Sequence, residues 1–270
     1  MKRIYYVLVL CLASAIAFSQ EKKLTKEEKR EERKQRINQL IKEEEEGALI
    51  YSKQNAFAAK LSTDGYGVFY EHGKYKTIRQ TNLWWLELGE RKNPKEKKFT
   101  LTDQSGFFAV GNPYVFGKIN NFYYLKLGFG QQRLIGGKGN KNGVAVSAIY
   151  GGGLSGGFLK PYYLSATDST GGSATDVKYS TATDGIFRDP GLIIGSSGFT
   201  KGFNEIKFTP GAHARFSLRF DYGRYNEILS AIEVGVNAEY YAKDMQIMLD
   251  VPGKKFFFNS YISLVFGKRK

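Results

Sequence analysis

Residues 212–222 alternate without exception between apolar and polar side chains, and this restricts the fold more than any other feature of the chain. Ala212, Ala214, Phe216, Leu218, Phe220 and Tyr222 fall on one face of an extended segment, and His213, Arg215, Ser217, Arg219 and Asp221 on the other. A period of two belongs to a strand with two different environments. The pattern recurs. Tyr123, Leu125, Leu127 and Phe129 oppose Tyr124, Lys126, Gly128, Gly130 and Gln132. Val144, Val146, Ala148, Tyr150, Leu154 and Phe158 share one face of the next run. Ile232, Val234, Val236, Ala238 and Tyr240 oppose Glu233, Asn237 and Glu239, and Phe256, Phe258, Ile262, Leu264 and Phe266 oppose Asn259, Tyr261 and Ser263.

Eight strands are predicted, at 56–71, 77–89, 106–117, 121–135, 143–159, 210–222, 227–242 and 256–267. Strands of soluble domains run to about 5–6 residues, whereas a tilted transmembrane strand needs about 9–11; most of these runs are longer. The composition of 20 Phe, 18 Tyr and 31 Gly against 6 Pro suits long antiparallel strands. An even count closes a barrel without an exposed edge. The fold class expected is therefore all-β: an eight-stranded antiparallel transmembrane β-barrel over 55–270, with the apolar face on lipid. A soluble sandwich or lipocalin-like barrel is the competing architecture. The last strand, with alternating aromatics and the near-terminal Phe266, fits the ending of barrel precursors.

The N-terminus reads as a cleaved secretory signal over 1–19. Lys2 and Arg3 precede an apolar run too short for a typical transmembrane helix, and Ala17 and Ser19 supply the small residues at −3 and −1. Removing Lys2 and Arg3 lowers the formal charge from +14 to +12. The single Cys11 lies in the run that is discarded, which leaves no disulfide framework, thiol nucleophile or cysteine metal site. Residues 20–54 form a separate, charged, periplasmic segment. Residues 21–46 hold nine basic and nine acidic residues, with Thr25 and Glu28 at capping-box spacing. A helix is expected there, either a solvated spacer or a docking helix presenting Ile37, Leu40 and Ile41. The net positive charge is scattered over this segment, loops and alternate strand positions, which argues against a nucleic-acid surface.

Several stretches resemble an uncharacterised family of outer-membrane β-barrel proteins of the Bacteroidota: Asn112-Pro-Tyr-Val-Phe-Gly-Lys-Ile-Asn-Asn-Phe-Tyr-Tyr-Leu-Lys-Leu-Gly-Phe-Gly, Gly151-Gly-Gly-Leu-Ser-Gly-Gly-Phe-Leu-Lys-Pro-Tyr-Tyr-Leu, Phe220-Asp-Tyr-Gly-Arg-Tyr-Asn-Glu, and Phe256-Phe-Phe-Asn-Ser-Tyr-Ile-Ser-Leu-Val-Phe-Gly-Lys-Arg-Lys. The likeness covers most of 55–270. It implies residence in the bacterial cell outer membrane and supplies no catalytic residue.

The barrel interior is the first candidate site. Lys126, Arg215, Arg219, Asp221, Glu233 and Glu239 are expected to point inward, with Lys60, Asp64 and Arg79 as further candidates. In so narrow a barrel they would form a paired plug, with a narrow polar pore as the alternative. A lipid-modifying enzyme is a second class, because some small barrels use a Ser and a His. Only His72 and His213 are present, both placed by the strand count at the outer end, and no Gly-x-Ser-x-Gly elbow accompanies them; His213 is the one weak catalytic candidate. Two distant histidines give no metal spacing, and Asp184 and Asp189 lack a calcium-loop pattern, so no metal or cofactor is expected. The third class is a non-catalytic structural or accessory subunit of an envelope complex for outer-membrane protein assembly, secretion or surface assembly. Its features are the charged helix, a basic periplasmic 90–105 connection and an external, partly folded 160–209 insertion. Outward Gly152 and Gly156 would let a second barrel approach, or merely curve the strand. The partners expected are the lipid bilayer, lipopolysaccharide and envelope proteins, with no nucleic acid.

Overall fold

The computed structural model of the chain describes residues 30, 31, 34, 51–77, 79–102, 109–138, 143–167, 172–223 and 227–270. The chain divides into two units, 1–45 and 46–270. In the first, Arg30, Glu31 and Lys34 are helical and exposed. The signal region and the Ile37, Leu40 and Ile41 stripe lie outside the described residues.

The second unit is built on strands. In chain order these are β1 (Lys53–Ser62), β2 (Gly65–Thr77), β3 (Gln80–Arg91), β4 (Lys98–Thr102), β5 (Ala109–Val115), β6 (Asn120–Gly136) and β7 (Ala145–Pro161). They continue with β8 (Tyr163–Ala166), β9 (Thr175–Lys178), β10 (Ile193–Ser196), β11 (Lys207–Asp221), β12 (Ile228–Met245) and β13 (Lys254–Arg269). Eight of them close a barrel in the order β1-β13-β12-β11-β7-β6-β3-β2, with β2 returning to β1. Every pair is antiparallel. The β1–β13 seam runs in unbroken register from Gln54 opposite Arg269 to Ser62 opposite Tyr261.

The period of two sets which side chains face where. In β11 the even, apolar positions point outward and the odd, polar ones are buried. The outer wall is apolar all round: Phe57 is 69% exposed, Leu154 72%, Phe129 63% and Phe258 63%. Its outward middle positions, such as 57–61, 82–88, 146–158 and 256–266, hold no charged residue. A continuous apolar belt of this extent in water would be an aggregation surface; against hydrocarbon it is the matching solvent. Aromatic side chains sit toward both ends of the belt, with Phe57, Tyr70 and Trp84 stacked at 4.9 and 5.5 Å near the chain termini, and Phe158 and Phe208 at 5.4 Å near the other end.

The barrel has eight strands, but two of the predicted ones are differently placed. Residues 56–71 are not one strand. Thr63-Asp64 makes a two-residue hairpin turn between β1 and β2, and Gly65 follows with φ +155°, where an added Cβ would lie 2.0 Å from the Glu90 carbonyl oxygen. Turn-forming residues between two runs of alternating pattern are a hairpin signal. The run 106–117 is not a barrel strand either. Its described part includes β5, which pairs with β4 beside the barrel, and Gly111 and Gly117, at φ +80° and +71°, bound a piece too short to span. One strand gained and one lost restore the count but shift the parity. The 92–119 connection therefore emerges at the same end as 162–206, opposite the termini, and not at the terminus end as predicted. The 137–144 connection stays beside the termini.

At this loop end the connections fold into a cap. β8 is the centre of a three-stranded sheet with β9 and β10. Tyr114, Ile119, Leu164, Phe187 and Ile193 form its apolar centre, with Phe187 contributed by the short helix Asp184–Arg188. Gly111 and Gly195 let the 92–119 and 162–206 segments touch backbone to backbone: an added Cβ would meet the Ile194 and Asn112 carbonyl oxygens at 2.6 and 2.5 Å. The partial folding expected of the long insertion is thus present, and it extends to its neighbour.

Closure of the sheet predicts that Asn55→Cys and Lys268→Cys, directly opposite across the seam, form an oxidative cross-link in a background without Cys11. The joined chain would migrate faster on a denaturing gel, and an open sheet would leave both thiols free.

Candidate functional site

The inward positions of the barrel converge on its lumen, which in an eight-stranded barrel is only wide enough for side chains. Arg219 of β11 lies near the centre of the terminus-side half. Its guanidinium reaches Glu71 of β2 at 2.7 and 2.9 Å and Glu233 of β12 at 3.0 and 2.6 Å. Arg215 reaches Glu71 at 3.0 Å and lies 4.1 Å over the Trp85 ring, so its remaining N–H groups face an aromatic surface. Ser217 and Tyr261 donate to the other oxygen of Glu233 at 2.9 and 2.6 Å. Nearer the termini, Arg269 pairs with Asp221 at 2.6 Å and donates to Gln54 at 3.0 Å.

The loop-side half repeats the device. Lys126 bridges Glu87 at 3.1 Å and Glu239 at 2.5 Å, Lys60 donates to Glu87 at 2.9 Å, and Arg91 joins Glu239 to Asp64. Tyr241 donates to Glu239 at 2.9 Å. Above this tier an apolar layer crosses the lumen, in which the rings of Phe122, Tyr241 and Phe257 lie 5.4–5.9 Å apart and Met245 and Met248 fill the gaps. Six cations (Lys60, Arg91, Lys126, Arg215, Arg219, Arg269) meet six carboxylates (Asp64, Glu71, Glu87, Asp221, Glu233, Glu239), and Lys138 lies 3.7 Å from Asp221 at the mouth. The side chains of Glu71, Glu87, Lys126, Arg215, Arg219, Glu233 and Glu239 are at most 1% exposed. The lumen is filled by a paired plug at these levels.

The inward residues read from the sequence, Lys126, Arg215, Arg219, Asp221, Glu233 and Glu239, all lie in this network, as does Lys60. Asp64 sits in the hairpin turn and pairs with Arg91. Arg79 does not face inward: it occupies the turn between β2 and β3 and is exposed. Four of these twelve residues, Glu71, Glu87, Arg91 and Arg269, escaped the sequence reading as inward positions. Glu71 fell in the run misread as one strand. Glu87 and Arg91 share their face with Leu83 and Trp85, so apolar side chains on both faces of β3 hide the alternation.

The two histidines are apart. His72 sits toward the terminus end, its Nδ1 2.6 Å from Asn55 Oδ1 and its ring 5.9 Å from Trp84, rather than at the outer end. His213 is buried inside the lumen rather than at a rim. Its Nδ1 lies 3.1 Å from Ser155 Oγ, its ring meets Trp85 edge-on at 5.9 Å, and its Nε2 has no protein partner among the described residues. A hydroxyl beside an imidazole is half of a nucleophile–base pair, but no carboxylate orients this ring and the plug and apolar layer stand between it and either mouth. Asp184 and Asp189 do not converge. The hydrogen bond from Arg188, at 2.8 Å, holds the Asp184 carboxyl below its ordinary value, while Asp189 accepts from the Gly191 amide at 2.9 Å.

Trp85 explains several glycines. Its indole lies against the wall at Gly128 and Gly151, where an added Cβ would stand 2.2 and 2.8 Å from ring carbons. Gly156, on the outer face, is roofed by Phe208 and Phe158 of this chain, 2.9 and 3.4 Å from such a Cβ. The glycine-rich run thus accommodates internal rings.

Two outcomes follow for stability, read as the temperature at which the folded, fast-migrating form is lost on a gel. Arg219→Met leaves Glu71 and Glu233 buried without their shared cation and destabilises by about 3–5 kcal/mol; adding Glu71→Gln recovers part of the loss. Gly128→Val drives a side chain into Trp85 and costs about 1–3 kcal/mol, and Trp85→Ala in the same chain relieves it.

No protein-family model and no curated protein matches the sequence. Among solved structures the chain is similar to Neisserial surface protein A, with 8% identity and a TM-score of 0.38 over 81% of this chain and 96% of that one. It is also similar to the N-terminal β-barrel domain of Pseudomonas aeruginosa OprF, with 9% identity and a TM-score of 0.35 over 80% and 98%. A third likeness is to Ail, the attachment invasion locus protein of Yersinia pestis, with 10% identity and a TM-score of 0.35 over 82% and 100%. Values of this size leave the architecture to be argued from the chain's own closed sheet and apolar wall.

Proposed function

We propose that the protein is an exported barrel of the bacterial outer membrane, and that it serves as a non-catalytic structural or accessory subunit of a larger envelope complex for outer-membrane protein assembly, secretion or surface assembly. The observation that carries this reading is a sealed barrel under a folded cap. A plug of mutually paired charges fills the lumen, while the described parts of the 92–119 and 162–206 segments fold together at the loop end. The signal-like N-terminus, the uncharged apolar belt and the resemblance to Bacteroidota barrels support the location. The segment 21–46, with Ile37, Leu40 and Ile41, is the proposed periplasmic dock.

Extraction from the native outer membrane in mild detergent tests the role. A stoichiometric protein partner is expected to co-purify, and deleting 21–46 is expected to weaken its retention. A barrel recovered alone would overturn the subunit role. In planar bilayers the purified protein is expected to show no steady conductance, and a stable open channel would contradict the sealed lumen. The Ser155–His213 contact favours a lipid-modifying enzyme as the second reading. That reading requires a lipid modification lost in both Ser155→Ala and His213→Ala.

A further inference from the structure

We infer that the loop end of the barrel carries a binding site for a single phosphorylated acyl lipid, whose chain lies on the outer wall and whose phosphate sits under the cap. Two adjoining hollows form it. The first is an apolar groove of about 470 Å³ on the lipid-facing side of β2, β3, β6 and β7, walled by Val68, Leu88, Tyr123 and Phe158, with backbone at Gly67 and Gly89 as its floor. Phe199, which is 67% exposed, hangs from the cap to close its upper end. The second is a cleft of about 420 Å³ directly above, into which Lys92, Lys98, Lys118, Lys160 and Lys201 are directed. Tyr66, Glu90, Tyr123 and Phe199 line both, so the apolar slot opens into the basic cleft.

Charge complementarity selects the occupant. The five lysines outnumber the two carboxylates of the cleft, and both carboxylates are engaged: Glu90 accepts from Tyr66 at 2.5 Å, and Glu96 pairs with Lys118 at 2.8 Å. Lys201 pairs with Asp176 at 3.0 Å. Lys92 and Lys98 have no carboxylate partner among the described residues. Lys160 is only 2% exposed, and its ammonium is held 4.3 Å from both the Phe199 and Phe203 rings, donating to the Phe199 carbonyl. A buried cation anchored by two rings and a carbonyl, with no carboxylate in ion-pair contact and only the more distant Glu90 acting on it, is a prepared contact for an anion. An amphiphile satisfies both hollows at once: an acyl chain in the groove and a phosphate among the lysines. In the outer leaflet of an outer membrane the lipid with that chemistry is a phosphorylated glycolipid. The inference rests on the outer-membrane placement and not on the subunit role.

The test uses the full mature chain in non-ionic detergent, with retained lipid counted by native mass spectrometry. The probes are a diphosphorylated lipid A, the same lipid dephosphorylated, a zwitterionic phosphatidylcholine and inorganic pyrophosphate. One diphosphorylated molecule per barrel is expected, bound about tenfold or more tighter than the dephosphorylated form. Lys92→Gln with Lys98→Gln is expected to erase most of that preference, and Leu88→Trp, which fills the groove, to weaken both lipids. Equal retention of the dephosphorylated or zwitterionic lipid would reduce the site to ordinary annular lipid and overturn the inference. Pyrophosphate binding as tightly as the lipid would leave a free-anion site only, and also overturn it. Heat-dependent gel mobility of each variant shows whether the barrel is intact. A protein lacking that mobility altogether refutes the membrane placement, whereas an intact barrel without lipid preference refutes only this site.

Discussion

Charge neutrality among side chains buried in the lumen is the constraint on which the rest of the structure depends. Six buried cations and six carboxylates would each carry a desolvation cost of several kcal/mol if left alone, and the lumen tolerates them only as a set. This dictates wall positions on every barrel strand except β7: Glu71 must face Arg219 and Arg215 from across the lumen, and Lys126 must stand between Glu87 and Glu239. Tyr261 and Ser217 on Glu233, and Tyr241 on Glu239, add neutral donors to the second oxygen of each of these carboxylates. The apolar wall outside and the ionic plug inside are two readings of one alternation.

Much of this was legible in the sequence, and the failures have identifiable causes. The strands β11, β12 and β13 alternate cleanly because one face meets hydrocarbon and the other meets the charged lumen. In β3 both faces carry large apolar residues, since Trp85 packs inside on Gly128 and Trp84 outside beside Tyr70. Periodicity there cannot announce Glu87. The hairpin missed at Thr63-Asp64 shows itself in a change of phase: Ala56, Ala58 and Lys60 point inward in β1, but Phe69, Glu71 and Gly73 in β2. Counting β1 and β2 as one strand carried the error into the parity of later connections and put the 92–119 loop at the wrong end. Ion pairs such as Glu71–Arg219 join residues 148 positions apart, and no local pattern reports them.

The two ends of the barrel are built differently. At the terminus end short turns and Arg269, Gln54 and Asp221 finish the plug. At the loop end three connections share an apolar centre and carry exposed ion pairs, Lys178 with Glu205 and Lys201 with Asp176. Exposed pairs of this kind contribute little to stability. The cap's order therefore comes from Phe187, Leu164 and Ile193, and its surface charges are free to serve recognition.

The seam between β1 and β13 has a consequence for how the molecule is made. The strands contributing Glu71 and Arg219 are separated by most of the sequence, and Gln54 meets Arg269 only across the final junction. A nascent sheet that has not yet curled shut exposes these groups to whatever surrounds it, and in a bilayer interior that is the costliest place for them. Intermediates with an open seam are disfavoured by their own charges, so zippering the last pair and satisfying the plug are a single event. A chain lacking β13 would leave Gln54 and Asp221 without Arg269 and both β1 and β12 with an unpaired edge.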